Sequence, residues 1–458
     1  MITNEKKNLA VIKLKPLSHL VMQKPNASLL LFVATIAAVI LANTPWGEGY
    51  YRFLDFPIDL RFGDFMFFAH HGEPMTLLAF VNDALMAIFF FVVGLEIKEE
   101  ILVGELSSFR KALLPVIAAC GGMIVPVLVY FAICHQHPES HGAAIPMATD
   151  IAFALAVLGL FGKRVPLSLK IFLTALAIVD DIGGIIVIAL FYSGHIAVTP
   201  LLISVVLLAG LYLGGRLNIN NVLFYYVGGF IVWLLFLESG IHPSIAGVMV
   251  AFTVPARPMV KLDEFAGEMK ENLSLLDFSQ VKHSRRASVL SPGQILILSN
   301  IHRISSNTVS PLQRIVHRLN PMVSYFILPL FAFVNAGVRF EGFDPSALLT
   351  IPLAIFLGLL VGKTVGIFLF VYVAVKTGLV SVSQGLTKKG MLGVSMLGGI
   401  GFTVSLFIAN LSFASLPEIG PVLLNEAKLG IFAGSLVSGL CGYFYLKRVL
   451  PHEEKPEE

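Results

Sequence analysis

Two adjacent aspartates lie inside an apolar run of the chain, TALAIVDDIGGIIVIALFY, which contains Asp180 and Asp181. Successive residues of a helix point about 100° apart, so one carboxylate can face a water-filled path while the other faces a packed helix. Crowding and burial disfavour a second negative charge, whereas a nearby ammonium group or a bound cation stabilises it. The pair therefore predicts a site at which a proton and a metal cation compete for the same oxygen atoms.

Four further ionisable residues interrupt apolar parts of the sequence, namely Asp83, Glu96, Asp150 and Lys363. A charged group at membrane depth costs at least about 2.5 to 3.5 kcal/mol, so each is a functional hypothesis if these segments cross a bilayer. The alternative for the aspartate pair is that Lys363 merely neutralises it, although a salt bridge alone needs only one carboxylate.

The composition is that of a membrane protein. Of the 458 residues, 56% are hydrophobic and 13% are charged, and the mean hydropathy is +0.83, whereas a soluble domain has about 25% charged residues. This excludes an ordinary water-soluble enzyme. The net charge of +3 gives no argument for a nucleic-acid partner. Cys120, Cys134 and Cys441 lack the spacing of a zinc site or a disulfide framework, and we expect them to pack as small apolar residues.

Twelve apolar stretches predict twelve transmembrane helices and therefore an all-α polytopic membrane fold. They lie at about 27–43, 77–97, 112–134, 144–162, 171–192, 199–215, 222–237, 242–254, 322–338, 350–375, 390–412 and 429–446.

The Lys and Arg residues predict the orientation of these helices, because the cytoplasmic flanks of membrane helices carry an excess of them. With both termini cytoplasmic, all but five of the 32 lie on the cytoplasmic side. Four of the five are external and the last is within a span: Arg52, Arg61, Arg339 and Lys428, then Lys363. We therefore expect cytoplasmic tails at about 1–26 and 447–458, a membrane domain at about 27–446, and a first span that is not cleaved as a signal peptide.

Two loops are long enough to carry structure of their own. The external loop alternates Ile58, Leu60 and Phe62 with polar residues and turns at Gly63-Asp64, which predicts a β-hairpin at about 56–68. The cytoplasmic insertion at about 255–320 mixes charges with a Ser-rich patch and has no clear period. We expect it to be mostly a mobile linker.

Two of the predicted spans carry signals that interrupt a helix. Pro146 precedes Asp150 in the fourth span, and a proline removes a helical hydrogen bond. The run GGIGFT, which includes Gly399 and Gly401, weakens the eleventh span. Spans three to five and ten to twelve are then two trios of opposite orientation, each with a broken middle helix. This arrangement predicts a transporter with inverted three-helix repeats.

Broken helices that cross leave half-helix ends facing each other, positive at N-termini and negative at C-termini. We expect Asp150 to offset two N-terminal ends and Lys363 to offset two C-terminal ends. Asp83 and Glu96 lie about 20 Å apart along one helix, and we expect them to line a cytoplasmic funnel at two depths. The alternative for Glu96 is a solvated helix end beside Lys98.

Two other features indicate helix packing more than chemistry. His242 heads a short span, where a capping or packing role is favoured over titration near neutral pH. Gly358 with Gly362, and Gly430 with Gly434, have the small-xxx-small spacing of closely packed helices.

Six runs of the sequence match one known family, in order, over nearly all the spans. They are NDALMAIFFFVVGLEIK, PMATDIAFALAVLGLFGKRVPLSLKIFLTALAIVDD, SGIHPSIAGV, LPLFAFVNAGV, VGKTVGI and GGIGFTVSLFIA. These runs closely resemble the NhaA family of bacterial sodium/proton antiporters.

The resemblance implies a role for most of the ionisable residues. Asp181 would be the principal sodium- and proton-binding carboxylate, and Asp180 its neighbour, which pairs with Lys363 when the cation is absent. Thr149 and Asp150 would lie at the broken-helix crossing. The resemblance further assigns a part in the pH response to an acid at the cytoplasmic funnel, and the matching residue is Glu96.

The resemblance also implies the fold and the activity. The fold would be twelve helices with two broken, crossing helices. The activity would be electrogenic exchange of Na⁺ or Li⁺ against more than one H⁺ by alternating access in a bacterial inner membrane, in the service of sodium and pH homeostasis. No cofactor is expected, and the chain would be a transporter rather than an enzyme. Relatives dimerise, partly through an external hairpin such as 58–67.

The chain departs from the family pattern at the entry to the ninth span. Relatives similar to the enterobacterial protein have a pH-response glutamate and a histidine there, where this sequence has Val316 and Asn320. The loop before this entry is also much longer. The pH of activation does not follow from the resemblance, whereas the expected ion-binding residues all match.

Two functions are alternatives to the antiporter. A cation-coupled symporter of an organic anion would need room and hydrogen-bond donors for an organic group, whereas the sequence shows a compact acidic centre. An intramembrane aspartyl protease would need a GxGD motif. Only Gly63-Asp64 approaches that motif, and Arg61 stands where its first glycine should be.

Overall fold

A computed structural model gives the structure of most of the chain. It describes residues 25–62, 65–66, 68–70, 73–192, 196–275, 282–283, 288–339, 345–380, 385–414, 416 and 418–451.

Helices make up nearly all of the described structure, and each of the twelve apolar stretches contains one. In chain order they are α1 Pro25–Ala42, α2 Gly47–Leu54, α3 Leu77–Val103, α4 Phe109–Ile133, α5a Glu139–Met147, α5b Ile151–Gly159, α6 Leu167–Phe191, α7 Val198–Arg216, α8 Val222–Ser239, α9 Pro243–Thr253, α10 Leu262–Leu275, α11 Pro292–Thr308, α12 Pro311–Asn335, α13 Ala347–Lys376, α14a Lys388–Leu397, α14b Phe402–Ala414 and α15 Gly420–Val449.

The predicted all-α membrane fold is confirmed. In the described part of the chain, 9 helices are long and apolar enough to cross a membrane, or up to 11 if each bent pair is one span. The first bent pair is α1 with α2, at 117°, and the second is α14a with α14b, at 47°. The shorter α9 is also apolar. The total of twelve spans stays a prediction, because α9 has only 11 residues.

Both predicted helix interruptions are present. The segment between α5a and α5b, residues 148–150, is extended, and α14a and α14b are separated by residues 398–401. The first half, α5a, is a 3₁₀ helix, which the sequence analysis did not predict. Pro146 has no N–H to donate, and Gly142 packs so closely that a Cβ there would lie 2.4 Å from the Tyr130 hydroxyl. The narrower 3₁₀ helix suits that crowded position.

Three of the long helices contain a π turn, at Val81–Leu85, Val323–Ile327 and Gly358–Gly362. The first contains Asp83, and the third ends immediately before Lys363. Such turns add one residue to a helical turn and are frequent at functional sites.

Short strands follow α2, as predicted for the external loop. Strand β2 (Arg61–Phe62) pairs antiparallel with β3 (Phe65–Met66), which confirms a hairpin at this position. Residues 63, 64 and 67 lie outside the described residues. Beyond the prediction, β5 (Glu73–Thr76) pairs antiparallel with both β1 (Pro57–Ile58) and β4 (Ala69–His70).

The expectation of a linker at 255–320 is wrong for its described residues. Helices α10 and α11 pack together, and Asn300 Nδ2 donates to Asn272 Oδ1 over 2.9 Å. β6 (Lys282–His283) and β7 (Ser288–Val289) pair between them. The sequence carried a start signal that was overlooked, because Ser291 and Gln294 form a capping box with Pro292 at the first helical position. The last part of the predicted insertion belongs to α12.

Helices α4 and α13 pack at backbone contact. A Cβ on Gly121 would lie 2.2 Å from the Gly366 carbonyl oxygen, and a Cβ on Gly366 would lie 2.2 Å from the Gly121 carbonyl oxygen. One turn away, a Cβ on Gly362 would lie 2.7 Å from the Pro126 Cα. This close approach brings the turn of α13 that carries Lys363 against α4.

We predict that Gly121→Ala lowers the thermal unfolding temperature of the purified protein, because the new methyl group forces two backbones apart. Gly210→Ala in α7 is the control, since a Cβ there meets nothing within 4 Å. That control should be neutral or stabilising, as alanine is the better helix former by about 1 kcal/mol. Equal unfolding temperatures for the two variants would contradict the close contact.

Candidate functional site

The two helix interruptions lie against each other and are joined by hydrogen bonds. The Asp150 N–H donates to the Ile400 carbonyl oxygen over 2.6 Å. The Thr149 hydroxyl lies 2.8 Å from the Gly398 carbonyl oxygen, and Ser405 Oγ donates to the Ile145 carbonyl oxygen over 2.9 Å. The predicted crossing of broken helices is therefore a contact between two unwound segments.

Asp150 serves the N-terminal ends of both second half-helices. It is the N-cap of α5b, where its Oδ1 accepts from the Phe153 N–H over 3.1 Å. Its Oδ2 accepts from the Thr403 N–H over 3.1 Å and also from the Thr403 hydroxyl. A negative charge at a helix N-terminus is stabilised by the unpaired N–H groups and by the helix dipole. This geometry is the one expected for Asp150 from the sequence.

Lys363 is fully buried, and its ammonium group lies between the unwound segment and α6. Its Nζ donates to Asp180 Oδ2, with which it forms a salt bridge, and to Thr149 Oγ1 over 2.9 Å. Thr149 Oγ1 lies 2.6 Å from the same Asp180 oxygen. Lys363 thus reaches the Gly398 carbonyl oxygen at the C-terminal end of α14a through Thr149, and no main-chain carbonyl among the described residues accepts a hydrogen bond from it directly. The role predicted for Lys363 from the sequence was to offset the two C-terminal ends itself.

Among the described residues, none donates a hydrogen bond to Asp181 or to one of the two oxygens of Asp180. Asp180 Oδ1 is buried and has no hydrogen-bond donor. Asp181 is 6% exposed, and no residue in the described ranges donates a hydrogen bond or an ion pair to it. The electrostatic interactions on Asp181 are repulsion from Asp180, Asp150 and Glu96 and attraction to Lys363. Two neighbouring residues of α6 therefore carry carboxylate oxygens to which no described residue donates a hydrogen bond.

Oxygen atoms are the ligands that hard cations take. Among the described residues, no group of three or more His, Cys, Asp and Glu converges as a metal site would require. A cation held by Asp180 and Asp181 would need its other ligands from hydroxyl groups, main-chain carbonyls or water. Such a mixed, partly hydrated set suits an ion that must also leave.

Gly399 and Gly401 make the crossing possible by leaving space. A Cβ on Gly399 would lie 2.2 Å from Ser438 Oγ and 2.3 Å from the Leu359 carbonyl oxygen. A Cβ on Gly401 would lie 2.2 Å from Ser405 Oγ. Both glycines admit a neighbouring helix to the interruption, in addition to weakening the helix as the sequence analysis argued.

Asp83, in the π turn of α3, has a partner of its own. Its Oδ1 lies 3.4 Å from His242 Nε2, and its carbonyl oxygen accepts from Trp233 Nε1 over 3.1 Å. His242 caps α9, because its Nδ1 accepts from the Ser244 N–H. The capping role favoured for His242 is confirmed, and the pairing with Asp83 was not predicted.

Glu96 is at the other end of α3, next to α12. The Asn320 amide donates to Glu96 Oε1 over 3.3 Å, and the Gln313 amide donates to Glu99 Oε1 over 3.4 Å. Asn320, one of the two positions that depart from the family pattern, is therefore the direct neighbour of Glu96. A neutral amide stands where relatives are expected to have a titrating histidine.

The hydroxyl groups that complete the crossing were not predicted from the sequence, and they belong to Thr403, Ser405, Ser435 and Ser438. All four are buried and form hydrogen bonds with Asp150, with an interruption or with the half-helix ends beside it. One signal was available, because Ser435 and Ser438 are three residues apart and so lie on one face of α15.

A helical membrane bundle in which two broken helices cross beside buried carboxylates is the architecture of a secondary ion transporter. Comparison with known proteins identifies the family within this class. The chain matches the family model for Na+/H+ antiporter 1 over residues 18–446. The chain therefore belongs to this family, as the resemblance in the sequence indicated.

Its relatives match over nearly their whole length. The chain is 66% identical to the Na(+)/H(+) antiporter NhaA of Parabacteroides distasonis over 96% of this chain and 97% of that protein. It is 50% identical to the Na(+)/H(+) antiporter NhaA of Porphyromonas gingivalis over 95% of this chain and 96% of that protein. It is 42% identical to the Na(+)/H(+) antiporter NhaA 2 of Syntrophotalea carbinolica over 95% and 96%, respectively.

We predict that Lys363→Ala lowers the thermal unfolding temperature as well as transport, because it leaves Asp180 buried and unpaired. Breaking a buried ion pair in this way costs about 3 to 5 kcal/mol. The double variant Lys363→Ala with Asp180→Asn removes both charges and should recover much of the unfolding temperature without recovering transport. An unchanged unfolding temperature in the single variant would contradict the pairing.

Proposed function

We propose that this protein exports Na⁺ from the cell in exchange for H⁺, with Asp180 and Asp181 as the carboxylates that hold either ion. It is a transporter, and its proposed action changes no covalent bond of the ions it carries. Its family and its relatives, which are named Na(+)/H(+) antiporters, support the two ions.

One observation carries the proposal, namely the charge balance at the crossing. Asp150 faces two helix N-termini, each equivalent to roughly half a positive charge. Lys363 balances Asp180 through their salt bridge. Asp181 then has no compensating charge of its own among the described residues. A buried carboxylate in that position is stable only when it takes up one positive charge, which is a proton or a cation.

Competition for these oxygens couples the two ions. When the site faces the outside, protons displace the cation from Asp181 and its neighbour, and after the site turns inward cytoplasmic Na⁺ displaces the protons. Because the two ions exclude each other, the site turns from one side of the membrane to the other with either protons or Na⁺ bound, and never with both. Exchange of more than one H⁺ for each Na⁺ makes the cycle electrogenic and lets the proton gradient drive export.

Thr149 and Lys363 adjust the site in this proposal. The Thr149 hydroxyl, 2.6 Å from Asp180 Oδ2, is a further oxygen ligand within reach of a cation on Asp180. Lys363 holds Asp180 until the cation binds, and Asp150 with Gly399 and Gly401 keeps the half-helix ends in contact. Asp83 and Glu96 remain our candidates for the funnel, and Glu96 for the pH response.

The orientation follows the Lys and Arg distribution, with both termini in the cytoplasm of a bacterial inner membrane and tails at 1–26 and 447–458. Three of the expected external cations lie together in the structure. The Arg339 guanidinium lies 3.8 Å from the centre of the Tyr51 ring, Lys428 Nζ donates to the Gly337 carbonyl oxygen over 2.9 Å, and Arg52 is on α2 with Tyr51. We propose twelve spans in all, within a domain at 27–446, with spans three to five and ten to twelve as inverted repeats.

We further propose that Li⁺ is carried as well as Na⁺, since nothing in a pair of carboxylates favours the larger ion by charge. The protein would work in the lipid bilayer as a homodimer, with the hairpin β2–β3 as one contact, because the outer edges of a two-stranded sheet carry unpaired N–H and C=O groups with which a second copy can pair. The organic-anion symporter has no support from the family or the named relatives.

We predict that everted membrane vesicles containing this protein lose a preformed pH gradient when Na⁺ or Li⁺ is added. The assay should cover pH 6 to 9.5, about the range in which histidine groups and carboxyl groups with a raised pKa titrate. Vesicles from the same strain without the protein are the control. No response to either ion across that range would reject the antiporter.

We predict that Asp181→Asn abolishes exchange, because the amide holds neither a proton nor a cation in place of the carboxylate. The variant should still be obtained as folded protein, since no hydrogen bond from a described residue is lost. Asp55→Asn, at an exposed position just after α2, is the matched control and should exchange normally. Transport by Asp181→Asn at the wild-type rate would show that the ion ligand is wrong.

A further inference from the structure

Side chains of α15 form hydrogen bonds with both halves of the broken helix α14a–α14b, at the ends next to the interruption. A helix interrupted within a membrane leaves N–H groups at the start of one half and carbonyl groups at the end of the other, and each must find a partner inside the protein. Asp150 supplies an acceptor for only one of these N–H groups, that of Thr403. Two more of them, those of Gly401 and Phe402, have their acceptor on α15.

The first partner is Ser435, which is 6% exposed. Its Oγ accepts from the Gly401 N–H over 3.2 Å and from the Phe402 N–H over 3.1 Å. A hydroxyl oxygen has two lone pairs, so Ser435 is fully used as an acceptor. Together with Asp150 it provides acceptors for three consecutive N–H groups at the start of α14b.

The second partner is Ser438, one turn further along the same face of α15, and it is fully buried. Its Oγ donates to the Met396 carbonyl oxygen over 2.7 Å, at the end of α14a. The space for this hydroxyl exists only because Gly399 has no side chain, since a Cβ there would lie 2.2 Å from Ser438 Oγ. One serine thus accepts from the N-terminal end and the other donates to the C-terminal end.

A series of hydrogen bonds connects residues 398–401 with Asp150 and Asp180. The peptide of Ile400, between the two halves, accepts from the Asp150 N–H, and the Gly398 carbonyl oxygen contacts the Thr149 hydroxyl. Thr149 in turn contacts Asp180 and Lys363. A shift of residues 398–401 therefore moves the hydroxyl group beside Asp180.

We propose that Ser435 and Ser438 are positioning residues for ion exchange, which hold the two ends of the interruption so that Thr149 and Asp150 stay in place beside Asp180. They contact no ion and act through the backbone of residues 396–402. Because their hydroxyl groups are neutral, they satisfy these ends without adding a charge to the site. The proposal rests on the ion-binding role given above to Asp180 and Asp181.

The test compares Ser435→Thr with Ser435→Val, and Ser438→Thr with Ser438→Val, in the full-length protein in proteoliposomes. Thr and Val have nearly the same shape, so each comparison isolates the hydroxyl. The readouts are the Na⁺ concentration for half-maximal exchange, KM, and the rate at saturating Na⁺. Each Val variant should have a KM on the order of fivefold above that of its Thr partner, the factor of about one hydrogen bond, with a smaller change in the saturated rate.

The matched control is Ser204 in α7, which is also fully buried but donates only to the carbonyl of Leu201 in its own helix. Its Thr and Val variants should have equal KM values. If a Val variant fails to fold, Ser435→Ala or Ser438→Ala replaces it and is compared with the wild type. Equal KM values for Thr and Val at both positions, or the same difference at Ser204, would overturn the proposal.

The two proposals can fail separately. If the carboxylates do not bind the ions, Asp181→Asn remains active whatever the serine variants show. If the serines do not position the site, Asp181→Asn is inactive while the Thr and Val variants have the same KM.

Discussion

A charge in the middle of a membrane has to be balanced nearby, and this requirement connects the parts of the molecule. Asp150 is balanced by two helix N-termini, and Asp180 by Lys363. Each of these balances needs a particular backbone arrangement, because the N-termini exist only where two helices are interrupted. The interruptions, the close packing of α4 on α13 and the salt bridge are therefore parts of one electrostatic arrangement, in which Asp181 has no balancing charge of its own among the described residues.

The sequence predicts this arrangement at the level of residue types and helix ends. Aspartates and a lysine in apolar runs stand out because of their free-energy cost, and Pro146 and the run GGIGFT mark the interruptions. Hydroxyl groups carry no such signal, since serine and threonine occur throughout membrane helices and bond most often to their own helix, as Ser204 does. The spacing of Ser435 and Ser438 places them on one face of α15, but what lies opposite them is a tertiary contact that the spacing does not reveal.

Tertiary contacts, which cannot be seen in the sequence, also explain the errors outside the site. The insertion looked like a linker because its sequence mixes charged and Ser-rich stretches, and α10 and α11 bury only a few side chains, such as Ile304. Their stability comes from packing on each other and from the cap at Ser291, which are pairwise features. The partner of Asp83 was missed for a similar reason, since His242 is far from it in sequence and the two meet only when α9 packs on α3.

The π turn at Gly358–Gly362 constrains the length of α13 in this protein. An extra residue in one turn rotates all later side chains of the helix by about 100°. Lys363 follows that turn directly, so its direction towards Asp180 depends on how many residues the turn contains. Loss of one residue from the turn would therefore point the ammonium group away from its partner. The stretch has to preserve its length as well as the two glycines, since a Cβ on Gly358 or Gly362 would lie 2.7 Å from a proline atom.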